Sequence, residues 1–274
     1  MSVPNKPIAF IDVGNTRTKY VLLDVEQIND VELIQLTLDI QYVANETHPL
    51  SLLESVSAVY ISSVTSPDWL EALSAQALAQ NLPVFIASTQ AYTRINHSIL
   101  TNGYSQVGNM GVDRWLAMSA AVGLFPEQSH FVVVDAGTAI TCDVIYRHAH
   151  LGGWIAPGLQ LLTASLLDNT EQVFTDSKQS TSQSTLFLGK NTPECVHQGC
   201  LAQLNGVVNL ACEQLNQNCD DYFVIISGGD ATQILSNTNK ATYYFDNLVL
   251  LGLVQLAKTS LNVEKLNEKR VLSN

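Results

Sequence analysis

The sequence predicts an α/β protein made of two related halves, each with a mixed sheet, and three observations carry that reading. Strand-like and helix-like segments alternate along the whole chain. The pattern Asp-x-Gly-(Asn)-Thr occurs at Asp12 and again at Asp135, 123 residues later, each time between two apolar runs. The chain has 274 residues, of which 46% are hydrophobic and 14% charged. A chain of that size can withdraw roughly 75% of its unfolded surface from water. Intrinsic disorder, a collagen-like repeat and a disulfide-stapled miniprotein are thereby excluded.

The elements follow in order. Ile8 to Ile11 is an apolar run ending in Asp12-Val13-Gly14-Asn15-Thr16, and Tyr20 to Leu23 resumes a strand pattern, which together read as a β-hairpin. A third strand is expected at Val31 to Leu38 and a buried one at Ala58 to Ile61. Ser66-Pro67-Asp68 supplies an N-cap, a first-turn proline and an early acid. Leu70, Leu73, Ala77 and Leu78 then fall near one helical face. Val84 to Ile86 reads as a strand, residues 88–110 as a long functional loop, and Val112 to Leu124 as a helix.

The second half opens the same way. Phe131 to Val134 leads into Asp135-Ala136-Gly137-Thr138, and Ile140 to Tyr146 resumes a strand pattern. Gly152-Gly153-Trp154-Ile155-Ala156-Pro157-Gly158 precedes a helix at Leu159 to Leu167. Residues 168–190 are Ser/Thr/Gln-rich and read as a loop. A long helix is expected from Thr192 to about Leu215, with Val196, Leu201, Leu204, Val208 and Leu215 near helical spacing. Phe223 to Ile226 is a strand closing on Ser227-Gly228-Gly229-Asp230-Ala231, and a last helix covers Leu248 to Leu261.

Charge narrows the function. Thirteen basic against 25 acidic residues give a formal net charge of −12, which argues against a nucleic-acid-coating surface. No Lys or Arg occurs between Lys19 and Arg94, so an anion-binding protein of this composition must place its few cations locally. Arg17, Lys19 and Arg114 lie inside the glycine-bearing segments. No stretch approaches the ~20 apolar residues that span a bilayer, and the polar N-terminus does not read as a signal peptide. Five cysteines without a C-x-x-C spacing read as buried free thiols in a reducing, cytoplasmic setting. His197 between Cys195 and Cys200 does not share a helical face with Cys195, so a metal site there is not expected.

A turn holding Asp, Gly, Asn and Thr has a chemical use. Glycine lets backbone N–H groups approach an oxyanion, and Asn and Thr add neutral donors. Asp12 can hold a hydrated Mg²⁺ directly or through water, and Lys19 offers a point charge to phosphate oxygens. One such turn is also what an ordinary hairpin uses. Two of them can close on one polyphosphate from opposite sides, and the Gly228-Gly229 pair suits a flat adenine or a ribose. Neither a G-x-x-x-x-G-K-[ST] loop nor a G-x-G-x-x-G fingerprint occurs.

This triple constellation matches the phosphate and adenosine motifs of the actin, sugar kinase and acetate kinase superfamily. More narrowly, Asp12 to Lys19, Gly111-Val112-Asp113-Arg114-Trp115, Asp135 to Asp143, Gly152 to Gly158 and Gly229-Asp230-Ala231 resemble the type III pantothenate kinases, in family order over essentially the whole chain. The resemblance implies two duplicated ribonuclease H-like domains, residues 1–119 and 120–274, with mixed five-stranded sheets and an interdomain nucleotide cleft. It implies ATP-dependent phosphorylation of pantothenate to 4′-phosphopantothenate, the first step of coenzyme A synthesis. A homodimer, Mg²⁺ with the ATP, and a monovalent cation, K⁺ or NH₄⁺, are implied with it; membrane and nucleic-acid partners are not.

Carried over residue by residue, Asp113 is the general base. Tyr104, Gly111, Val112, Arg114 and Thr192 bind pantothenate. The first turn, Asp12, Val13, Gly14, Asn15, Thr16, Arg17, Thr18 and Lys19, binds the nucleotide together with Thr138, and Asp135 binds the monovalent cation. For Asp135 the alternative is a carboxylate that accepts N–H bonds from its own Gly137-Thr138 turn. Two rival functions stand beside this one: a regulatory or accessory protein of the same fold without turnover, and a sugar or acetate kinase, which the Gly-Val-Asp-Arg segment argues against.

Overall fold

A computed structural model describes residues 6–14, 17–30, 32–43, 49–65, 68–169, 186–234 and 240–271. By internal contact the chain divides into two units, residues 1–127 with 248–274, and residues 128–247.

In the first unit, β1 (Ile8–Val13) is buried along its length and pairs antiparallel with β2 (Thr18–Leu23). Helix α1 (Val25–Asp30) and a 3₁₀ turn at Leu33–Gln35 lead to β3 (Gln41–Val43), which pairs with β2. The described residues of the segment Val31 to Leu38 therefore do not form the expected strand. Leu36 spends its N–H locally on the Leu33 carbonyl, and the strand forms only beyond it. Next, β4 (Ala58–Ser63) lies parallel to β1 on its other flank.

Helix α2 (Asp68–Ala79) buries the stripe Trp69, Leu73 and Ala77 against Ala9, Ile11, Val59 and Ile61. Leu78, expected on that face, is 78% exposed, because it sits about 100° around the helix from Ala77. The expected Ser66-Pro67 cap lies outside the described residues. Strand β5 (Val84–Ile86) runs parallel to β4 and completes the order β3-β2-β1-β4-β5.

The segment 88–110 is not a plain loop. It folds into a hairpin, β6 (Tyr92–Ile95) with β7 (Ser98–Thr101), whose turn places Asn96 at φ 51°. The short strands bury only Ile95 and Leu100, which leaves no alternation to detect. A 3₁₀ turn at Val107–Asn109 then leads to α3 (Val112–Leu124), bounded as the sequence predicts.

The second unit repeats the plan. Strand β8 (Phe131–Ala136) pairs antiparallel with β9 (Ala139–Tyr146), which pairs antiparallel with β10 (Ala149–Pro157). Helices α4 (Leu159–Asp168) and α5 (Thr192–Asn216) follow. Strand β11 (Phe223–Ser227) is parallel both to β8 and to β12 (Ala241–Phe245). Within the unit the order β10-β9-β8-β11-β12 matches β3-β2-β1-β4-β5 strand for strand, including direction. That shared topology is the physical content of the repeated motif: in both units a glycine turn joins the first two strands and a parallel strand flanks the first.

Two strands are not legible in the sequence pattern. The Gly152-Gly153 segment continues β10 through a bulge at Gly152, φ 143°, and β12 is short and only half-buried. All five expected positions of α5 are buried, and Leu204, Val208 and Leu215 share one core cluster with Val132, Val134, Cys142 and Val144.

The last helix, α6 (Leu248–Val271), continues beyond Leu261 and packs on α3. Gly252 permits the close approach, since a Cβ there would press on the Leu116 carbonyl. A division after residue 119 assigns α6 to the second half; by contact it groups with the first, because its apolar face is what covers α3 and β1. Among the described residues no helix is long and apolar enough to cross a membrane.

Candidate active site

In the first unit, the β1–β2 hairpin places Lys19 directly across from Asp12, with Nζ 3.9 Å from Oδ2. Asp12 is buried and Lys19 partly open, so the pair offers one shielded carboxylate and one reachable cation. The turn closes by a bond from the Gly14 N–H to the Arg17 carbonyl at 3.2 Å. Val13 and Thr18 are buried in the ladder, and exposed Arg17 lies 5.2 Å over the Tyr42 ring. Asn15 and Thr16 lie outside the described residues.

A second cluster gathers at the start of α3. Arg114, only 4% exposed, donates from Nη1 to the Tyr104 hydroxyl at 2.7 Å, with its guanidinium carbon 5.6 Å from the ring centre. Asn102 holds the loop beneath: its Oδ1 accepts from the Tyr104 N–H at 2.8 Å, and its Nδ2 donates to the Gln90 carbonyl at 3.2 Å. Asp113 Oδ1 accepts from the Arg114 N–H at 2.8 Å and occupies the space a Cβ on Gly111 would need. Glycine at 111, the N-cap of α3, is thus what lets Asp113 fold back over the helix start. Tyr104 is thereby brought to Arg114 at the start of α3, beside its chain neighbours Gly111, Val112 and Asp113.

In the second unit, Asp135 is the penultimate residue of β8, and its Oδ1 accepts from the Ser227 hydroxyl at 3.1 Å. The Gly137 N–H donates to the Ala139 carbonyl at 3.0 Å, so that N–H is spent within the turn rather than on Asp135. Three loops meet behind Asp135. The Gly158 N–H donates to the Thr138 carbonyl at 3.0 Å, and the Asp230 N–H donates to the Ala136 carbonyl at 2.9 Å. Gly158 packs on the Gly137 and Thr138 carbonyls, and Gly228, at φ 101°, packs on the Ala136 backbone; neither has room for a Cβ. Burial pushes the Asp230 carboxyl up from the usual range, opposed by a bond from the Leu159 N–H at the start of α4.

Thr192 stands exposed at the first position of α5. Its helix end is capped by Asn191 Oδ1, which accepts from the Glu194 N–H at 2.9 Å. Ser227, Gly158 and Asp230 are not among the site residues that the sequence predicts. Only strand register and loop packing link them to the second turn, and neither is legible in a linear sequence.

The donor set suits a magnesium nucleotide. No group of three or more His, Cys, Asp and Glu able to hold a metal occurs among the described residues. A Mg²⁺ beside Asp12 would therefore be held by one carboxylate, water and phosphate oxygens, its usual arrangement at such sites.

The two five-strand arrangements and their paired glycine turns define a protein of the ribonuclease H-like fold. A solved chain from Campylobacter jejuni, assigned to the Baf family of transcriptional activators, superposes with a TM-score of 0.55 at 17% identity, covering 93% of this chain and 99% of that one. A chain from Listeria monocytogenes assigned as an N-acetylmannosamine kinase gives 0.50 at 12% identity, covering 92% and 99%.

Sequence comparison is more specific. The type III pantothenate kinase family profile matches residues 8–214. A type III pantothenate kinase of Pseudoalteromonas atlantica is 40% identical over 68% of this chain and 71% of its own. One of Pseudoalteromonas translucida is 35% identical over 89% and 93%. The chain belongs to the type III pantothenate kinase family.

Proposed function

We propose that the protein transfers the γ-phosphoryl group of ATP to the primary hydroxyl of pantothenate, giving 4′-phosphopantothenate and ADP at the entry to coenzyme A synthesis. Family membership supports the reaction class. The observation that carries the assignment of roles is the cluster formed by Tyr104, Gly111, Asp113 and Arg114.

Phosphoryl transfer asks a protein chiefly for positioning and charge stabilisation. Arg114 is the counter-charge for the pantothenate carboxylate, and Tyr104 fixes the plane of its guanidinium. Asp113 orients the acceptor hydroxyl and takes its proton as the oxygen–phosphorus bond forms and the bond to the ADP oxygen breaks. Lys19 draws the phosphates toward the first turn, and Asp12 holds the hydrated Mg²⁺ that neutralises phosphate charge. Thr138 hydrogen-bonds the nucleotide from the second turn, and Asp135 holds a K⁺ or NH₄⁺. Thr192 completes the pantothenate site in a homodimer working in the cytoplasm.

A coupled ADP-release assay tests the whole reading. Release that depends on pantothenate and on potassium supports it. Release with a hexose or acetate in place of pantothenate points to a relative of different specificity, and no release under any condition points to a non-catalytic member of the fold.

A further inference from the structure

One buried group beside the first turn has no part in the roles above. Ser62 is 0% exposed, and its hydroxyl has no hydrogen-bond partner among the described residues. Buried polar groups are nearly always paired, and one left single in the folded chain calls for an explanation. Its place in the sheet supplies one.

Ser62 on β4 is the register partner of Asp12 on β1, two residues beyond Phe10 and Tyr60. The rings of Phe10 and Tyr60 stack at 5.5 Å, so both project from the face opposite the one packed on α2. By the two-residue alternation of strands, Asp12 and Ser62 project from the same face as those rings, about 4.8 Å apart along the ladder. Lys19 occupies the other flank of Asp12. Asp12 thus has a cation on one side and a hydroxyl on the other.

We infer that Ser62 is a positioning residue for the magnesium nucleotide, donating its hydroxyl hydrogen bond to the Asp12 carboxylate when phosphates draw Lys19 away. In the free protein Lys19 supplies positive charge beside Asp12. Once Lys19 turns to the phosphates, Ser62 adds to Asp12 a neutral donor that does not compete with Mg²⁺ for charge. A serine hydroxyl on the neighbouring strand is suited to that, and a single rotation about its Cα–Cβ bond re-aims it. This inference rests on the assignment of Asp12 to the magnesium site.

The test is Ser62→Ala, with Asp12→Ala beside it. Binding of a non-hydrolysable ATP analogue is measured by calorimetry with Mg²⁺ and with EDTA, and melting of the free proteins by calorimetric scan. Expected for Ser62→Ala is a melting temperature at or above wild type, since the lost hydroxyl was unpaired. Affinity with Mg²⁺ falls about tenfold, the effect of one hydrogen bond to a charged group, and affinity in EDTA is unchanged. A Ser62→Ala protein that melts well below wild type overturns the inference by showing the hydroxyl paired in the free protein. Wild-type affinity with Mg²⁺ in Ser62→Ala, while Asp12→Ala loses it, also overturns the inference but leaves the magnesium site standing. Wild-type affinity in Asp12→Ala overturns that site assignment itself.

Discussion

Arg114 and Tyr104 are locked to one another twice, by a 2.7 Å bond from guanidinium to phenol oxygen and by the guanidinium lying 5.6 Å from the ring centre. Held in this way, the buried guanidinium is a planar fork of fixed orientation, the shape that pairs with a carboxylate. Lysine keeps the charge but not the fork. Arg114→Lys should raise the KM for pantothenate by about 10–100-fold with a smaller effect on kcat, while Tyr104→Phe should raise it by roughly fivefold. Steady-state kinetics at fixed ATP check this. A loss in kcat with no change in KM would remove Arg114 from carboxylate binding.

Asp113 is held differently. It accepts the Arg114 N–H at 2.8 Å over a helix start that only glycine at 111 leaves room for. Asp113→Asn preserves that acceptor and the packing but cannot take a proton. The variant should melt like wild type and bind ATP normally, with kcat lowered by roughly 10²–10⁴. A wild-type kcat would show that the base lies elsewhere.

How far the sequence carries such a site depends on whether its parts are neighbours in the chain. The Asp12 to Lys19 turn, α3 and the Gly111 to Arg114 cluster are all visible, because each is a local pattern with its own periodicity or glycine. The β6–β7 hairpin is not, since it buries one side chain per strand, nor is β12, whose residues are only half-buried. Ser227 beside Asp135 and Ser62 beside Asp12 come from parallel strand pairing across 92 and 50 residues, and nothing local to either serine marks them.

The glycines divide into those that bear on backbone and those that do not. Gly228 is at φ 101°, and a Cβ there would strike the Ala136 backbone that the second turn is built on. Gly199, in α5, faces open space, with nothing within 4 Å of where a Cβ would stand. Gly228→Ala should cost about 1–3 kcal/mol from backbone conformation alone, with a further loss from the clash, and should weaken nucleotide binding. Gly199→Ala should be neutral or stabilising by up to about 1 kcal/mol. Denaturant unfolding of both variants decides it; equal stabilities would mean that the second turn tolerates a displaced Gly228.

Asp230 supplies a pH signature. Burial raises its folded-state pKa above the usual 3.8, so its stabilising contribution is present below that value and is lost as pH rises through the raised one. At neutral pH the half-buried carboxylate is a net cost, only partly offset by the Leu159 N–H. Asparagine keeps an acceptor for that N–H and carries no charge. Asp230→Asn should therefore gain in melting temperature relative to wild type at pH 7 and lose that advantage near pH 4. The opposite trend would mean that the ionised form is the one the fold prefers.

The last prediction concerns the monovalent ion. Asp135 is half-buried at the end of β8 and receives a hydroxyl bond from Ser227, while the Gly137 N–H is spent on Ala139. A carboxylate so placed is costly to desolvate, and a nearby positive charge offsets that cost. The chain has only 13 basic residues, and in the proposed reading a large monovalent ion, ligated by the carboxylate and by backbone carbonyls, would supply that charge. Activity should collapse when potassium is replaced by sodium or lithium and persist in ammonium. Asp135→Asn should lose activity and cation response together. Ser227→Ala should keep the response but need about tenfold more potassium for half-maximal activity, because it removes the bond that orients the ligand. If wild-type activity is indifferent to the monovalent ion over a wide concentration range, Asp135 is a structural carboxylate satisfied by Ser227 and its own loop.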